Sequence, residues 1–139
     1  MPRYRGIENP YGYIWKNVCD VVVANTTNNV YIDDDYTKFN TSSTLTDHKD
    51  SGLVVSTSNG YITSLVNNND GDLFTSAVGG SYSTYYCDYN YTSAISTPRT
   101  LLSGGSSVAG SLAGLFYLDS SVGLGYSSVT VGSRVTYLI

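Results

Sequence analysis

The sequence contains few charged side chains, a single histidine and a single glutamate, Glu8. Lys, Arg, Asp and Glu make up 13% of its 139 residues, about half the share in an average soluble protein. The formal net charge is −4, which argues against a nucleic-acid partner because affinity for phosphate backbones depends on clustered Lys and Arg. No run of about 18 apolar residues occurs, so no membrane insertion is expected. The opening MPRYRGIENP lacks the apolar stretch of a signal peptide.

The sequence also lacks the usual signatures of catalysis. Acid–base chemistry needs groups of tuned proton affinity held close together, and the only histidine, His48, lies in a charged stretch that is typical of an exposed loop. The nucleophile-elbow, phosphate-loop and zinc-protease motifs are all missing. A Cys–His pair would have to use Cys19 or Cys87, and neither has a motif around it. We therefore expect a binding or structural protein, with an unusual enzyme as the third alternative.

Cysteine and metal chemistry are equally sparse. Cys19 and Cys87 lie far apart and lack the short spacing of a zinc site. They form either one disulfide in an oxidising compartment or buried free thiols, an alternative that the apolar surroundings of Cys19 support. Two oxygen-rich stretches, DDD at 33–35 and NNNDGD at 67–72, are of the kind that calcium prefers. Neither matches a calcium-loop pattern, so we expect plain turns, no metal and no cofactor, with calcium as the alternative.

Tyrosine is what the sequence has in abundance: 14 residues, together with 14 glycines and many Ser, Thr and Asn. Tyr supplies rigid amphipathic contact area, and Ser, Gly and Asn supply adaptable hydrogen bonds, which is the composition of binding surfaces. A β-rich structural protein that uses Tyr in its strands is the other interpretation. The length and the hydrophobic fraction of 41% predict one domain with its own core, spanning residues 1–139.

The pattern of apolar residues predicts many strands and little helix. The expected strands are 12–24, 30–32, 73–78, 99–105, 112–119 and 127–139, separated by loops that include 25–29, 41–52 and 67–72. The first of them should be central, because both of its faces are apolar near its end. Asn59 and Gly60 between two apolar runs predict a hairpin over 53–66. One helical turn is expected in 33–40, with Asp35 as its N-cap.

Four segments resemble the C-type-lectin-like domains of the formylglycine-generating-enzyme type. YRGIENPYGYIW at 4–15 is similar to the segment in which an Asn, a Gly and a Trp lead into the central strand of such domains. RTLLSGGS (99–106), AGLFYLD (113–119) and VGSRV (131–135) are similar to their C-terminal half, with its Gly-Gly strand end, further core strand and closing Gly-x-Arg strand. The family includes lectin-like domains at the C-terminus of phage tail and fibre proteins from gut Bacteroidales phages. More distantly, it includes variable proteins of diversity-generating retroelements.

The resemblance implies an α+β, strand-dominated C-type-lectin-like fold with little helix. It implies binding rather than catalysis, because the enzymes of the family use a cysteine pair near the C-terminal end and no cysteine follows Cys87 here. The expected protein is a receptor-binding domain of a phage or prophage tail or fibre protein, at the C-terminus of a longer chain. It would act in the virion or at a bacterial cell surface and bind a bacterial surface glycan or protein. Because fibre tips are commonly trimeric, a homotrimer is the assembly it suggests; a virion decoration or assembly protein of the same fold is the alternative.

In retroelement-diversified relatives, the ligand face lies between the Gly-Gly pair and the Gly-x-Arg strand. Lys, Glu, Gln, Met and Trp are absent from Thr100 to Ile139. This absence is compatible with diversification of the region by a retroelement. Carried over residue by residue, the expected ligand-binding residues are Ser106, Ser107, Val108, Ser111, Leu112, Tyr117, Asp119, Ser120, Ser121, Val122, Leu124, Tyr126 and Ser127. The family usually has a Trp shortly after the Gly-Gly pair, where this chain has SSV.

The remaining residues of this region are expected to form the scaffold. Leu115, Phe116 and Arg134 belong to it, with Phe116 in the core and Arg134 paired with a carboxylate or with backbone carbonyls. Three glycines are expected to permit tight turns or close backbone packing: Gly104, Gly105 and Gly114.

Overall fold

The structure of the chain, a computed structural model, describes residues 3–4, 7–8, 11–33 and 45–132. These residues form eleven β-strands and two single turns of 3-10 helix, at Leu45–Asp47 and Gly110–Leu112. The strands are β1 (Arg3–Tyr4), β2 (Ile7–Glu8), β3 (Trp15–Val23), β4 (Asn29–Ile32), β5 (Lys49–Val54), β6 (Gly60–Asn67), β7 (Leu73–Val78), β8 (Tyr89–Thr92), β9 (Arg99–Ser103), β10 (Leu118–Ser120) and β11 (Val131–Gly132). The predicted dominance of strands is confirmed, and the described part, which contains no α-helix, is mostly β rather than α+β. A helix long and apolar enough to cross a bilayer is not found among these residues.

Nine of the strands form one sheet in the order β5-β4-β3-β9-β10-β8-β6-β7, with β11 beside β3. Neighbouring strands are antiparallel except for the pairs β8–β10 and β3–β11. The N–H of Ser56, just after β5, donates to the carbonyl of Thr75 on β7 over 2.9 Å. The two ends of the strand order therefore meet at one point, and the curled sheet has an inner and an outer face.

The inner face holds the hydrophobic core. Side chains two apart on a strand share a face, which is why Val21 and Val23 of β3 both enter the core. Its buried members are Val21, Val23, Val30, Leu53, Val55, Phe74 and Leu101, with Val18, Ile32, Val66 and Leu118 packed against them. Complete burial of one such side chain stabilises the fold by about 1.5–3 kcal/mol, so these strands fix the curvature of the sheet.

Strand β3 is central, as predicted, but it is interrupted by a bulge. Its register against β9 shifts between Val18 and Val22, and Asp20 within the bulge has a left-handed backbone with φ 59. The bulge brings the Asp20 carboxylate to 3.3 Å from Nε2 of His48, and both side chains are buried. The expectation of an exposed loop histidine is therefore wrong. Both cysteines are free and exposed, so neither the disulfide nor the buried thiols are found.

The predicted hairpin at Asn59 and Gly60 is also wrong. Strand β5 pairs with β4, and β6 pairs with β7 and β8, so the two strands on either side of this dipeptide are not partners. Instead of closing a turn, the Asn59 side chain accepts a 2.7 Å hydrogen bond from the backbone of Thr92. The hairpin of this region joins β6 to β7 through the predicted loop at 67–72, where Asn68 Oδ1 accepts from the N–H groups of Asp70 and Asp72.

Other boundaries differ from the predictions as well. Strand β5 begins at Lys49, inside the stretch expected to be loop. The predicted strand at 112–119 is reduced to β10, which begins at Leu118. The predicted helical turn at 33–40 with its Asp35 cap, and Arg134 in the predicted terminal strand, lie outside the described residues.

The shorter β10 reverses the expected orientation of two neighbouring aromatics. Phe116, expected in the core, is 45% exposed, whereas Tyr117, expected on the ligand face, is only 6% exposed. The reason is the bend from Gly114 to Tyr117, in which the N–H of Tyr117 donates to the carbonyl of Gly114 and β alternation does not apply. A Cβ on Gly114 would overlap the carboxylate of Asp88, so the predicted close packing at this glycine is confirmed.

Candidate ligand-binding face

The outer face of the sheet carries a chain of four aromatic rings, which we call the aromatic ladder: Trp15, Tyr117, Tyr89 and Tyr61. Successive ring centroids are 4.6, 5.7 and 5.2 Å apart, with interplanar angles of 69°, 75° and 87°. Such edge-to-face contacts each contribute about 0.5–1.5 kcal/mol beyond the burial of the rings. The ladder crosses strands from β3 to β6 and makes this part of the outer face rigid.

The Gly-Gly pair provides the space for the central ring of the ladder. The N–H of Gly104 donates to the carbonyl of Tyr117 over 2.9 Å, and a Cβ on Gly105 would lie 3.1 Å from Cδ1 of the Tyr117 ring. The same Cβ would lie 2.9 Å from that of Ala113. Since real Cβ atoms do not tolerate the second distance, glycine is required where the chain passes the ring.

A second row of four residues, three of them with polar groups, crosses the outer face beside the ladder, and we call it the polar row: Asn17, Leu102, Asp119 and Tyr91. Each is directly opposite the next in the pairings β3–β9, β9–β10 and β10–β8. Asn17 and Tyr91 follow Trp15 and Tyr89 by two positions, so both rows share one face. Asn17 and Tyr91 are exposed, Asp119 is half-buried and Leu102 is buried.

A connection between β10 and β11 passes both β9 and β3. It begins at Gly123, which bridges to Arg99 on β9, and ends at Thr130, whose carbonyl accepts from the N–H of Trp15 over 2.8 Å. Strand β11 follows on the side of β3 opposite to β9, so the connection crosses both strands. On this side of the outer face Leu102 is buried and Asn17 is exposed. The half formed by β10, β8 and β6 stays accessible at Tyr91.

The electrostatics of the polar row follow from partial burial. Burial raises the pKa of Asp119, although a 2.8 Å bond from the N–H of Ser121 to its Oδ1 and a bond from the Ser121 hydroxyl act in the opposite direction. Burial, the charge of Asp119 and the neighbouring Tyr89 and Tyr91 raise the pKa of Tyr117 to about 12. The Tyr117 hydroxyl therefore stays protonated at physiological pH, beside a carboxylate that accepts hydrogen bonds when ionised.

Exposed aromatic side chains also occur directly before β8, in the segment 81–88, which we call the tyrosine loop. Tyr85 is 72% exposed, and both Tyr85 and Cys87 have φ 59, an uncommon backbone for residues other than glycine. Asp88 ties this loop to the bend before β10 by accepting a hydrogen bond from the N–H of Phe116; burial nevertheless raises the pKa of its carboxyl. The exposed large hydrophobic side chains of this region are Tyr82, Tyr85, Tyr86, Leu115 and Phe116.

The predicted ligand-binding residues do not form one surface. Three of the thirteen are buried and are corrected: Ser106, Tyr117 and Ser120. Ser107, Val108, Ser111 and Leu112 lie beyond the Ser103 end of β9, where the N–H of Ser107 donates to the carbonyl of Tyr13. Ser121, Val122 and Leu124 lie near the Arg99 end, where the carbonyl of Val122 accepts from the N–H of Thr100 and Gly123 bridges to Arg99. The two groups therefore lie at opposite ends of β9.

The last three predicted residues have different positions. Tyr126 and Ser127 are exposed on the crossing connection, and Asp119 belongs to the polar row on the accessible half of the outer face. Sequence reasoning missed Tyr61, Tyr89, Tyr91 and Asn17. The alternation Tyr89-x-Tyr91 inside the tyrosine-rich segment was the available signal, since it places two rings on one face of a strand.

No group of three or more His, Cys, Asp or Glu side chains that could hold a metal ion occurs among the residues in the described ranges. The aspartates of the loop at 67–72 are used locally, Asp72 by the Asn68 side chain at 2.9 Å and Asp70 by Lys49 at 3.1 Å. Comparison of the chain with protein-family models, curated proteins and solved structures finds no match.

Proposed function

We propose that this chain is a non-catalytic receptor-binding domain of C-type-lectin-like fold, belonging to a phage or prophage tail or fibre protein. It binds a glycan or protein on a bacterial surface. The observation that supports the proposal is the outer face, where a rigid ladder of rings lies beside exposed Tyr91, half-buried Asp119 and the exposed tyrosine loop. Exposed aromatic groups on a rigid scaffold are typical of recognition surfaces.

The contacts among the segments that resemble the lectin-like family also support the proposal. These segments are far apart in the sequence but meet at one end of β3. The N–H of Gly12 donates to the carbonyl of Gly104 over 2.9 Å, and Gly104 in turn bonds to Tyr117. Val131 pairs with Trp15 on the other side of β3. Residues that the resemblance treats as one scaffold are thus neighbours in space.

A cell-binding assay tests the proposed function. The fluorescently labelled domain is incubated with a panel of gut Bacteroidales strains, and bound fluorescence is measured by flow cytometry. We expect saturable binding to some strains and a loss of at least about tenfold in affinity for Tyr91→Ala, since central aromatic contacts dominate such surfaces. No binding to any strain, by the single domain or by a trimerised fusion, would contradict the proposal.

Two control variants locate the binding surface. Tyr126→Ala removes an equally exposed tyrosine, 46% against 40% for Tyr91, from the C-terminal connection that the resemblance favours. Val54→Ala removes an exposed side chain from β5, which is at one end of the sheet order and is not adjacent to β8. Retention of binding by both controls assigns binding to the outer face, whereas a loss only in Tyr126→Ala assigns it to the C-terminal loops.

A further inference from the structure

We infer that the ligand of the outer face is a saccharide without acidic groups, with one sugar ring stacked on Tyr91 and its hydroxyls bonded to Asp119. The inference rests on the proposed function and narrows the glycan-or-protein alternative to one chemical class. It also moves the binding site from the C-terminal loops, where the resemblance would have it, to β8 and β10.

Tyr91 provides the stacking surface. Its side chain is 40% exposed, and it takes no part in the ring pairs of the aromatic ladder. The ladder immobilises its neighbour Tyr89 on the same strand and face, so the backbone that presents Tyr91 is rigid. A pyranose ring presents an apolar face of C–H groups, and these are attracted to the electron-rich face of an aromatic ring.

Asp119 provides the hydrogen bonds. It lies directly opposite Tyr91 on the adjacent strand, and adjacent strands are about 4.8 Å apart, close to the width of a sugar ring. A ring stacked on Tyr91 would present its equatorial hydroxyls at the level of the carboxylate. Oδ1 of Asp119 already accepts from Ser121, but a carboxylate has about four acceptor positions, so capacity for sugar hydroxyls remains. Partial burial strengthens these charge-assisted bonds.

The described charges around the outer face disfavour acidic ligands. Asp119 lies within it and Asp88 lies at its edge beside the tyrosine loop, while the basic side chains that the structure describes lie elsewhere. Arg99 is completely buried, Lys49 bonds to Asp70, and Lys16 projects from the other side of β3 because it alternates with Trp15 and Asn17. A uronic acid, a sialic acid or a sugar phosphate would bring like charge against Asp119, where no basic side chain of the described part of the chain compensates it.

An NMR titration tests the inference with free sugars. The 15N-labelled domain is titrated with glucose, galactose, mannose and N-acetylglucosamine, and separately with glucuronic acid and sialic acid. We expect chemical-shift changes at the Tyr91 and Asp119 amides for at least one neutral sugar and none for the acids. Tyr91→Phe should retain this response, and Tyr91→Ala and Asp119→Asn should each weaken it at least tenfold. Absence of any response to the neutral sugars, or a stronger response to the acids, would overturn the inference.

Treatment of the cells separates this inference from the proposed function. Strains that bind the domain are exposed either to periodate, which cleaves the vicinal diols of sugars, or to a broad protease. Loss of binding after periodate alone supports the saccharide, whereas loss after protease alone overturns it and leaves receptor binding intact. A sugar response in the titration without binding to any strain would contradict the proposed function and support the saccharide site.

Discussion

The guanidinium of Arg99 donates a hydrogen bond to the side-chain carbonyl of Asn28, 71 residues away in the sequence, in the interior of the protein. The same group donates to the carbonyls of Ala24 at 2.6 Å and Ser120 at 3.1 Å and to the Thr92 hydroxyl at 3.0 Å. All of these acceptors are neutral, and burial lowers the pKa of Arg99. One buried cation thus holds the turn after β3, the end of β8 and the end of β10 together.

Replacement of Arg99 should therefore be severely destabilising. Arg99→Met leaves several buried acceptors without donors, each of which costs about 1–3 kcal/mol, so we expect the free energy of unfolding to fall by at least ~3 kcal/mol. Chemical denaturation monitored by the fluorescence of Trp15 measures the change. Lys49→Met, which removes an exposed cation, is the control and should cost less than about 1 kcal/mol. Equal effects of the two variants would refute the role of Arg99.

Two neighbouring aromatics test the orientation of the bend before β10. Tyr117→Ala removes the central ring of the aromatic ladder and should cost about 3–5 kcal/mol. Phe116→Ala removes an exposed ring and should change stability by about 0.5 kcal/mol or less. Thermal unfolding of the two variants in parallel measures the two losses of stability. A larger loss of stability for Phe116→Ala would show that Phe116, as expected from the sequence, is the buried ring of the two.

Much of the fold could be predicted from local sequence patterns. The β-branched run of β3, the turn at 67–72 and the short strand β7 all have local causes, and all were predicted. The predicted hairpin at Asn59 is wrong, because the Asn59 side chain accepts a hydrogen bond from the backbone of Thr92, a residue 33 positions away. His48 was misplaced for a similar reason, since its burial depends on a bulge in a distant strand. Such long-range partners leave no trace in a short sequence window.

The candidate site was harder to predict than the fold. Asp119 was predicted as a ligand-binding residue, but its neighbour across the strands, Tyr91, lies in another part of the chain, and only the parallel pairing of β8 with β10 brings them together. Tyr117 was misassigned because a bend, rather than a strand, precedes β10. A shift of one residue in the alternation of a strand moves a side chain to the opposite face. The error in the predicted start of β10 therefore altered the predicted surface.

A pair of glycine substitutions separates backbone strain from crowding at the aromatic ladder. Gly105 and Gly52 have similar left-handed backbones, with φ 76 and φ 72, but a Cβ on Gly52 would meet nothing within 4 Å. Gly52→Ala should cost only the strain, about 1 kcal/mol. Gly105→Ala should cost about 1–3 kcal/mol more, because its Cβ would be forced against Ala113 and Tyr117. Equal losses in urea denaturation would show that the ring of Tyr117 does not need this space.

The stability of Asp119 variants should depend on pH in a direction fixed by its environment. Burial raises the pKa of Asp119 in the folded state above its ordinary value of 3.8, so the folded protein holds the proton more tightly than the unfolded chain. The contribution of Asp119 to stability is then most favourable below pH 3.8 and falls as pH rises from there through the folded-state pKa, beyond which the penalty of the buried charge is constant. Asp119→Asn removes the charge and should make the protein more stable than the wild type at pH 7, with the difference vanishing under acid conditions.

Urea denaturation of both proteins between pH 3 and pH 7 measures this difference. Ser121→Ala serves as the control, because it removes the hydroxyl bond that favours the ionised form and should lower stability at pH 7 alone. If Asp119→Asn were instead less stable at pH 7, the carboxylate would be a structural group like Arg99. Asp119→Asn could both stabilise the protein and abolish its response to sugars. The half-buried charge of Asp119 would then lower the stability of the fold and serve only to bind the ligand.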